Sequence, residues 1–177
     1  MVPIVQKDEP ILRGQALPVP VGEISSKKIQ DILARMSKAL EEQKDGIAIA
    51  APQIGESLRI FVVSDELLQK ADPKYKGMGK NMVFINPEII KISKKTKEVE
   101  EGCLSVRWFY GKVKRATKAY ITACDENGNR IERGGSGILA QVFQHEMDHL
   151  NGTLFIDKTK EIWEMTAEEV AELTKQS

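Results

Sequence analysis

Histidine and cysteine are scarce: the chain of 177 residues carries two of each. Two cysteines form one bridge at most, so a disulfide framework is excluded and reduced thiols in a cytoplasmic protein are the expectation. Charge of one sign is missing as well, because 26 Lys+Arg balance 26 Asp+Glu. That removes any global attraction to nucleic acid or to an anionic membrane, and neither sequence-specific nucleic-acid binding nor membrane association is expected. Long apolar runs are absent: stretches such as 47–52 and 60–63 are far short of the roughly 20 residues that span a bilayer. The opening residues turn charged at Lys7 and Asp8 without an apolar h-region, which argues against a secretory signal. What is there is 41% hydrophobic residues, enough for one core. With no internal repeat and no boundary in view, residues 1–177 are read as a single domain.

Residues 1–23 combine Pro3, Pro10, Pro18 and Pro20 with Ile4, Val5, Ile11, Leu12 and Leu17. They read as an extended segment strapped down through those apolar side chains. Ser25 and Ser26 are N-cap candidates, and Ile29, Ile32, Leu33, Met36 and Leu40 follow at helical spacing. This first helix is expected to end near Asp45-Gly46, with Gly46 in the left-handed C′ position. Residues 58–63 read as a strand, 69–80 as an exposed loop, and 82–85 and 88–92 as strand-like pieces around Asn86-Pro87. Lys91, Lys94, Lys95 and Lys97, then Glu98, Glu100 and Glu101, read as an exposed charged turn. Asn127-Gly128 is a hairpin signal between strands at 119–124 and 130–132, after which the glycines of 134–137 break the chain. Ile138, Leu139, Val142, Phe143, Met147 and Leu150 mark a second helix ending at Asn151-Gly152. The acidic tail past Thr159 (Glu161, Glu164, Glu168, Glu169, Glu172) is expected to be helical. A helix, many short strands and a helix make an α+β chain.

Both histidines fall in Gln144-His145-Glu146-Met147-Asp148-His149, an H-E-x-x-H pattern. Residues four apart on a helix share a face, so two imidazoles can bind one metal ion while the Glu between them serves a water there. A surface helix with two incidental histidines fits the pattern too. The apolar stripe on the same helix, and the spending of every histidine on one turn, favour metal. A structural zinc site closes with four protein ligands, whereas a catalytic one has three and an open position. No histidine follows His149, so the third ligand is Glu161, Glu164 or an upstream cysteine. Cys103 sits in Glu101-Gly102-Cys103-Leu104-Ser105, where Gly102 permits close backbone approach and the turn aims the Leu104 N–H into the site. Taken alone, Cys103 is as readily a core thiol; Cys124, in an apolar run, reads as a small core residue. In 46–53 the small residues Ala48, Ala50 and Ala51 suit close packing or a substrate lying alongside, and the segment lacks a Walker lysine. Gln53 there is either a satisfied structural amide or an oxyanion donor.

Together these segments resemble the peptide deformylase family, whose motifs run, in this order, from a Gly/Ala-rich stretch ending in A-A-x-Q through E-G-C-x-S to Q-H-E-x-x-H. Here they are 46–53, 101–105 and 144–149; Glu9-Pro10-Ile11-Leu12-Arg13 and Phe84-Ile85-Asn86-Pro87-Glu88 are similar to the family as well. The resemblance covers most of the chain, thinning at 69–80 and after Ile156. It implies an α+β fold in which short antiparallel strands wrap around a central metal-binding H-E-x-x-H helix, with an N-terminal helix and a short C-terminal helix. It implies hydrolysis of the formyl group from the formylmethionine of newly synthesised polypeptides in the cytoplasm, with transient ribosome association. Cys103, His145 and His149 would be the metal ligands, and Glu146 the general acid/base. Gln53 and the Leu104 N–H would form the oxyanion site. Gly46, Ile47, Ala48, Gly102 and Val142 would line the substrate. Fe²⁺ is the metal implied, with Zn²⁺, Ni²⁺ or Co²⁺ as substitutes.

Three departures carry expectations of their own. Ala48 stands where a second glycine is frequent, which narrows the substrate channel. Arg107 stands where proline is common, which loosens the strand past the cysteine. The acidic tail replaces a basic helix that holds some bacterial members on the ribosome, and polyanionic RNA repels it, so docking does not use this tail. Two other functions fit part of the pattern. A zinc endopeptidase would use His145, His149 and a downstream Glu and keep its metal without Cys103. A metal-stabilised binding domain without activity would need a fourth protein ligand and has no use for Gln53 or Glu146.

Overall fold

The apolar periodicities sort into helices and two antiparallel sheets in the computed structural model, which describes residues 2–166, 168, 169 and 172. The Ser26 hydroxyl accepts from the Ile29 N–H and caps helix α1 (Lys27–Glu41), whose buried stripe includes Ile29, Ile32, Leu33, Met36 and Leu40. Strands β1 (Ala48–Ala50) and β2 (Ile60–Val63) follow, then helix α2 (Asp65–Ala71), capped by the Ser64 hydroxyl. Next come β3 (Met82–Ile92), β4 (Thr96–Gly102), β5 (Phe109–Ala116), β6 (Lys118–Cys124) and β7 (Arg130–Ser136). Helix α3 (Ile138–Leu150) and strand β8 (Ile162–Glu164) complete the order. One sheet has the order β1-β2-β3-β6-β7 and the other β4-β5-β8.

Strand β2 shows why the larger sheet is central. Its residues alternate between two cores: Phe61 and Val63 pack with Phe84, Ile121 and Phe143 toward α3, while Ile60 and Val62 pack with Val83, Ile85 and the α1 stripe on the opposite face. A strand buried on both faces reads as a continuous apolar run. Phe61 stacks on Phe84 at 4.6 Å, and Phe143 meets the Phe84 edge at 5.5 Å. A third cluster of Leu12, Val106, Val113, Leu154 and Phe155 lies against the smaller sheet. Helix α3 touches β1, β6 and β7 of the larger sheet and β5 of the smaller one, so the two sheets enclose it. The buried Gln144 amide ties it in place, accepting from the Ala116 N–H and donating to the Ala116 and Ala140 carbonyls.

Several local expectations change. α1 stops at Glu41, with Glu42 as a right-handed C-cap, and Gly46 is not among the positive-φ glycines; the left-handed glycine cap is therefore not used there. The loop expected from 69 starts inside α2. β3 is continuous through Asn86-Pro87 because Asn86, at φ 51°, exchanges hydrogen bonds with the Val19 backbone and absorbs a bulge. The charged turn of 91–101 is largely strand β4, in which Glu98 and Glu100 face solvent while Glu101 turns inward. The glycines of 134–136 remain in β7, which lets the Tyr120 and Leu139 side chains lie against them; the break comes at Gly137, φ 56°. In the first part of the tail, 162–164 form strand β8 rather than helix. Glu168, Glu169 and Glu172 are helical, and the rest of the expected C-terminal helix lies outside the described residues. The N-terminal segment is strapped down as expected, with Val5 N–H donating to the Gln53 carbonyl, but Leu17 is 63% exposed and held by backbone bonds to Ser57 and Arg59.

Candidate metal centre and substrate pocket

The helical repeat of α3 sets the site. His145 and His149 project from successive turns of one face with ring centroids 5.0 Å apart. Cys103 arrives from the end of β4. Its Sγ lies 3.2 Å from His149 Nε2, and the Ser105 N–H points at the same sulfur from 3.4 Å. The candidate ligand atoms of Cys103, His145 and His149 all fall within 4.8 Å of one another. Glu161 and Glu164 are not in this cluster: Glu161 pairs with Lys112, and Glu164 lies in β8 opposite Phe109.

A buried network orients the imidazoles. His145 Nδ1 meets Glu101 Oε2 at 3.0 Å, which leaves Nε2 to face the cluster. Arg115 donates twice to Glu101, at 2.6 and 2.8 Å, and once to Asp148 at 2.6 Å. Lys158 adds a bond to the other Asp148 oxygen. Burial alone would raise the Glu101 carboxyl, but the Arg115 and His145 hydrogen bonds outweigh it and hold the group down at about 2. Burial also pulls His145 down, yet the Cys103 sulfur and Glu101 carry it well above its ordinary value. Burial, reinforced by His145, pushes His149 well below its ordinary value. Reading by sequence missed Glu101, Arg115 and Asp148. Their signal was the Arg115 position on the inward face of β5, alternating with exposed Lys112 and Lys114.

The remaining site residues converge here. Burial lifts the Glu146 carboxyl to about 7, and its Oε2 is buried with no hydrogen-bond partner. Gln53 is 2% exposed. Its Oε1 accepts from the Ala50 N–H at 2.8 Å, and its Nε2 donates to Ser105 Oγ at 3.1 Å and lies 3.5 Å from Cys103 Sγ. The Leu104 carbonyl accepts from Gln6, and its N–H has no partner among the described residues. A pocket of about 470 Å³ opens over this floor, with Gly46, Ile47 and Ala48 on one wall, Gly102 to Leu104 on the other, and Val142, His145 and Glu146 beneath. The segment past the cysteine is tied rather than loose, because Arg107 pairs with Asp45 and Gln43.

A thiolate and two imidazoles suit a soft-to-borderline divalent ion, and three protein ligands leave an open position. The buried Glu146 Oε2, which no described residue hydrogen-bonds, fits a carboxylate that would serve a metal-bound water.

A family model described as polypeptide deformylase matches residues 1–164. The chain belongs to that family. It is 41% identical over 157 residues to a peptide deformylase of Halothermothrix orenii, covering 88% of this chain and 92% of the relative. It is 39% identical over 166 residues to the chloroplastic peptide deformylase 1A of Solanum lycopersicum, covering 89% of this chain and 59% of the relative. The chain thus spans about three-fifths of the length of such plant relatives. The crystal structure of peptide deformylase from Thermotoga maritima matches with TM-score 0.77 at 32% identity, covering 91% of this chain and 99% of that one. A Met-Ala-Ser-bound class I type b peptide deformylase from Acinetobacter baumannii matches with TM-score 0.78 at 34% identity, covering 89% and 98%. The family is metal-dependent, and the Cys103, His145 and His149 cluster can hold an ion. Among the described residues no helix is long and apolar enough to cross a membrane.

Proposed function

We propose that this chain is a metal-dependent peptide deformylase, one catalytic domain that removes the formyl group from the N-terminal formylmethionine of new polypeptides and releases formate. The observation that carries the reading is the convergence of Cys103, His145, His149, Glu146 and an unpaired Leu104 N–H at the floor of one pocket. The occupant fits as well. β1 and β4 are each the end strand of their sheet, and the pocket lies between them; free strand edges recruit an extended peptide. The relative that holds Met-Ala-Ser supports a peptide beginning with methionine.

A bound divalent ion, held by Cys103, His145 and His149, supplies Lewis acidity at the formyl group. Glu146 takes a proton from the attacking water, whose oxygen adds to the formyl carbon. The Gln53 amide and the Leu104 N–H receive the charge that develops on the formyl oxygen; losing one such donor costs about 10²–10³ in kcat. Glu146 then hands its proton to the methionine nitrogen as the C–N bond breaks and formate leaves. Gly46, Ile47, Ala48, Gly102 and Val142 hold the peptide and the methionine side chain. Fe²⁺ is the ion we assign, with Zn²⁺, Ni²⁺ or Co²⁺ able to replace it. The protein works in the cytoplasm, and its passing contact with ribosomes does not involve the acidic tail.

Glu146→Gln tests this directly. Formate release from formyl-Met-Ala-Ser should fall about 10²–10⁴-fold while one metal per chain is retained; undiminished release would remove Glu146 from the mechanism. Cys103→Ser separates the endopeptidase alternative, since only that enzyme would keep its metal affinity.

A further inference from the structure

Past the cysteine, the pocket wall is built from Arg107, Trp108, Phe109 and Tyr110. Most polar groups along it are already engaged. Arg107 donates to both carboxylate oxygens of Asp45 and, at 2.9 Å, to Gln43, with its guanidinium 4.7 Å over the Trp108 ring. Gln141 donates to the Glu100 carbonyl at 2.8 Å. The Tyr110 hydroxyl, like the Trp108 indole N–H, makes no hydrogen bond with any described residue. Its ring is nevertheless fixed. The register sets Tyr110 between Gly102 on β4 and Trp163 on β8. A Cβ on Gly102 would run into the ring, so the ring lies across the residue that precedes Cys103. Burial raises the phenol above its ordinary value of 10, and the Asp45 carboxylate adds to the rise against the opposing Arg107. The hydroxyl therefore keeps its proton throughout the neutral range and is available as a donor.

We infer that Tyr110 is a specificity-determining residue whose hydroxyl hydrogen-bonds the substrate backbone beyond the formylated residue, so that the enzyme favours a polypeptide over a formylated amino acid. The inference rests on the deformylase reading. A substrate whose formyl group meets the metal ligands and whose chain continues along Gly102 passes the Tyr110 ring; a one-residue substrate ends before it. A bond made equally in the bound and transition states changes KM and leaves kcat alone.

Tyr110→Phe removes the hydroxyl and keeps the ring. With Ni²⁺-loaded protein, KM for formyl-Met-Ala-Ser should rise about three- to tenfold, the worth of one net hydrogen bond, with kcat unchanged. KM for formyl-methionine amide should not move. Calorimetric affinity for the product Met-Ala-Ser should fall by the same factor as KM rises. An unchanged KM for the tripeptide, or an equal rise on both substrates, overturns the inference. No formate from either substrate with the unsubstituted protein would instead sink the deformylase reading, and the Met-Ala-Ser binding comparison would still decide the role of the hydroxyl.

Discussion

Glu101 carries two duties at once. It neutralises Arg115 in the interior and holds the His145 ring by Nδ1. A metal-bound histidine depends on such a partner for its orientation, and losing one typically costs about 10–100-fold in metal affinity. Removing one member of a buried ion pair also leaves a charge uncompensated, at about 3–5 kcal/mol. Because Arg115 retains Asp148, we expect Glu101→Ala to lie near the low end, about 3 kcal/mol by urea unfolding, together with a fall in metal affinity of about 10–100-fold. A loss of stability with unchanged metal affinity would assign Glu101 to Arg115 alone. The sequence pointed to His145 and His149 as candidate ligands because a spacing of four on a helix is a geometric statement. It could not show Glu101 as their support, because a carboxylate in a run of charged residues is ordinarily solvated. Only the β4–β5 register, which turns Glu101 inward beside Arg115, distinguishes it from Glu98 and Glu100 on the exposed face.

At the scale of elements, the same contrast separates α3 from α2 and β4. α3 and α1 were legible because apolar residues repeat over several turns. α2 spans Asp65–Ala71 with only Leu67 and Leu68 buried, too short a pattern to distinguish from a loop. β4 was hidden because one face is wet and the other holds a charge pair rather than an apolar row. α2 instead announces itself through what its first residue does. Asp65 accepts from the Met78 N–H at 2.9 Å, from the Tyr75 hydroxyl at 2.8 Å, from Gln69 and from the Gly79 N–H, and so holds residues 75–79 against the helix. The Met78 backbone bond, then the Tyr75 hydroxyl, lower the Asp65 carboxyl below its ordinary 3.8 against the small opposing effect of burial. A carboxylate lowered on folding contributes fully above its unfolded value, and that contribution is lost as pH falls through the folded one. Relative to the intrinsic rate at each pH, amide exchange at Met78 and Gly79 should therefore be slow at neutral pH and quicken only below about pH 4. Asp65→Asn should quicken it at neutral pH. Protection unaltered by the substitution would mean that the backbone alone fixes this loop.

On the scale of the whole molecule, the candidate centre lies where the two sheets close on α3. Cys103 is delivered by the smaller sheet, Gln53 by the turn after β1 of the larger one, and both histidines by the helix between them. An ion bound there would cross-link the smaller sheet to α3, two parts that otherwise meet through packing and the Gln144 and Glu101 bonds. Its contribution follows from mass action: at about 100 times Kd it stabilises the folded state by about 2.7 kcal/mol. For a chain of this size, about 2–4 °C accompanies each kcal/mol. The metal-loaded protein should therefore melt about 5–10 °C above the chelated one. Cys103→Ser should forfeit most of that gain while melting close to the chelated parent, since sulfur is replaced by a harder oxygen ligand at one corner only. Coincident melting of loaded and chelated protein would mean that the folded chain holds no ion at this seam, and the convergence of Cys103, His145 and His149 would then have to be explained by packing alone.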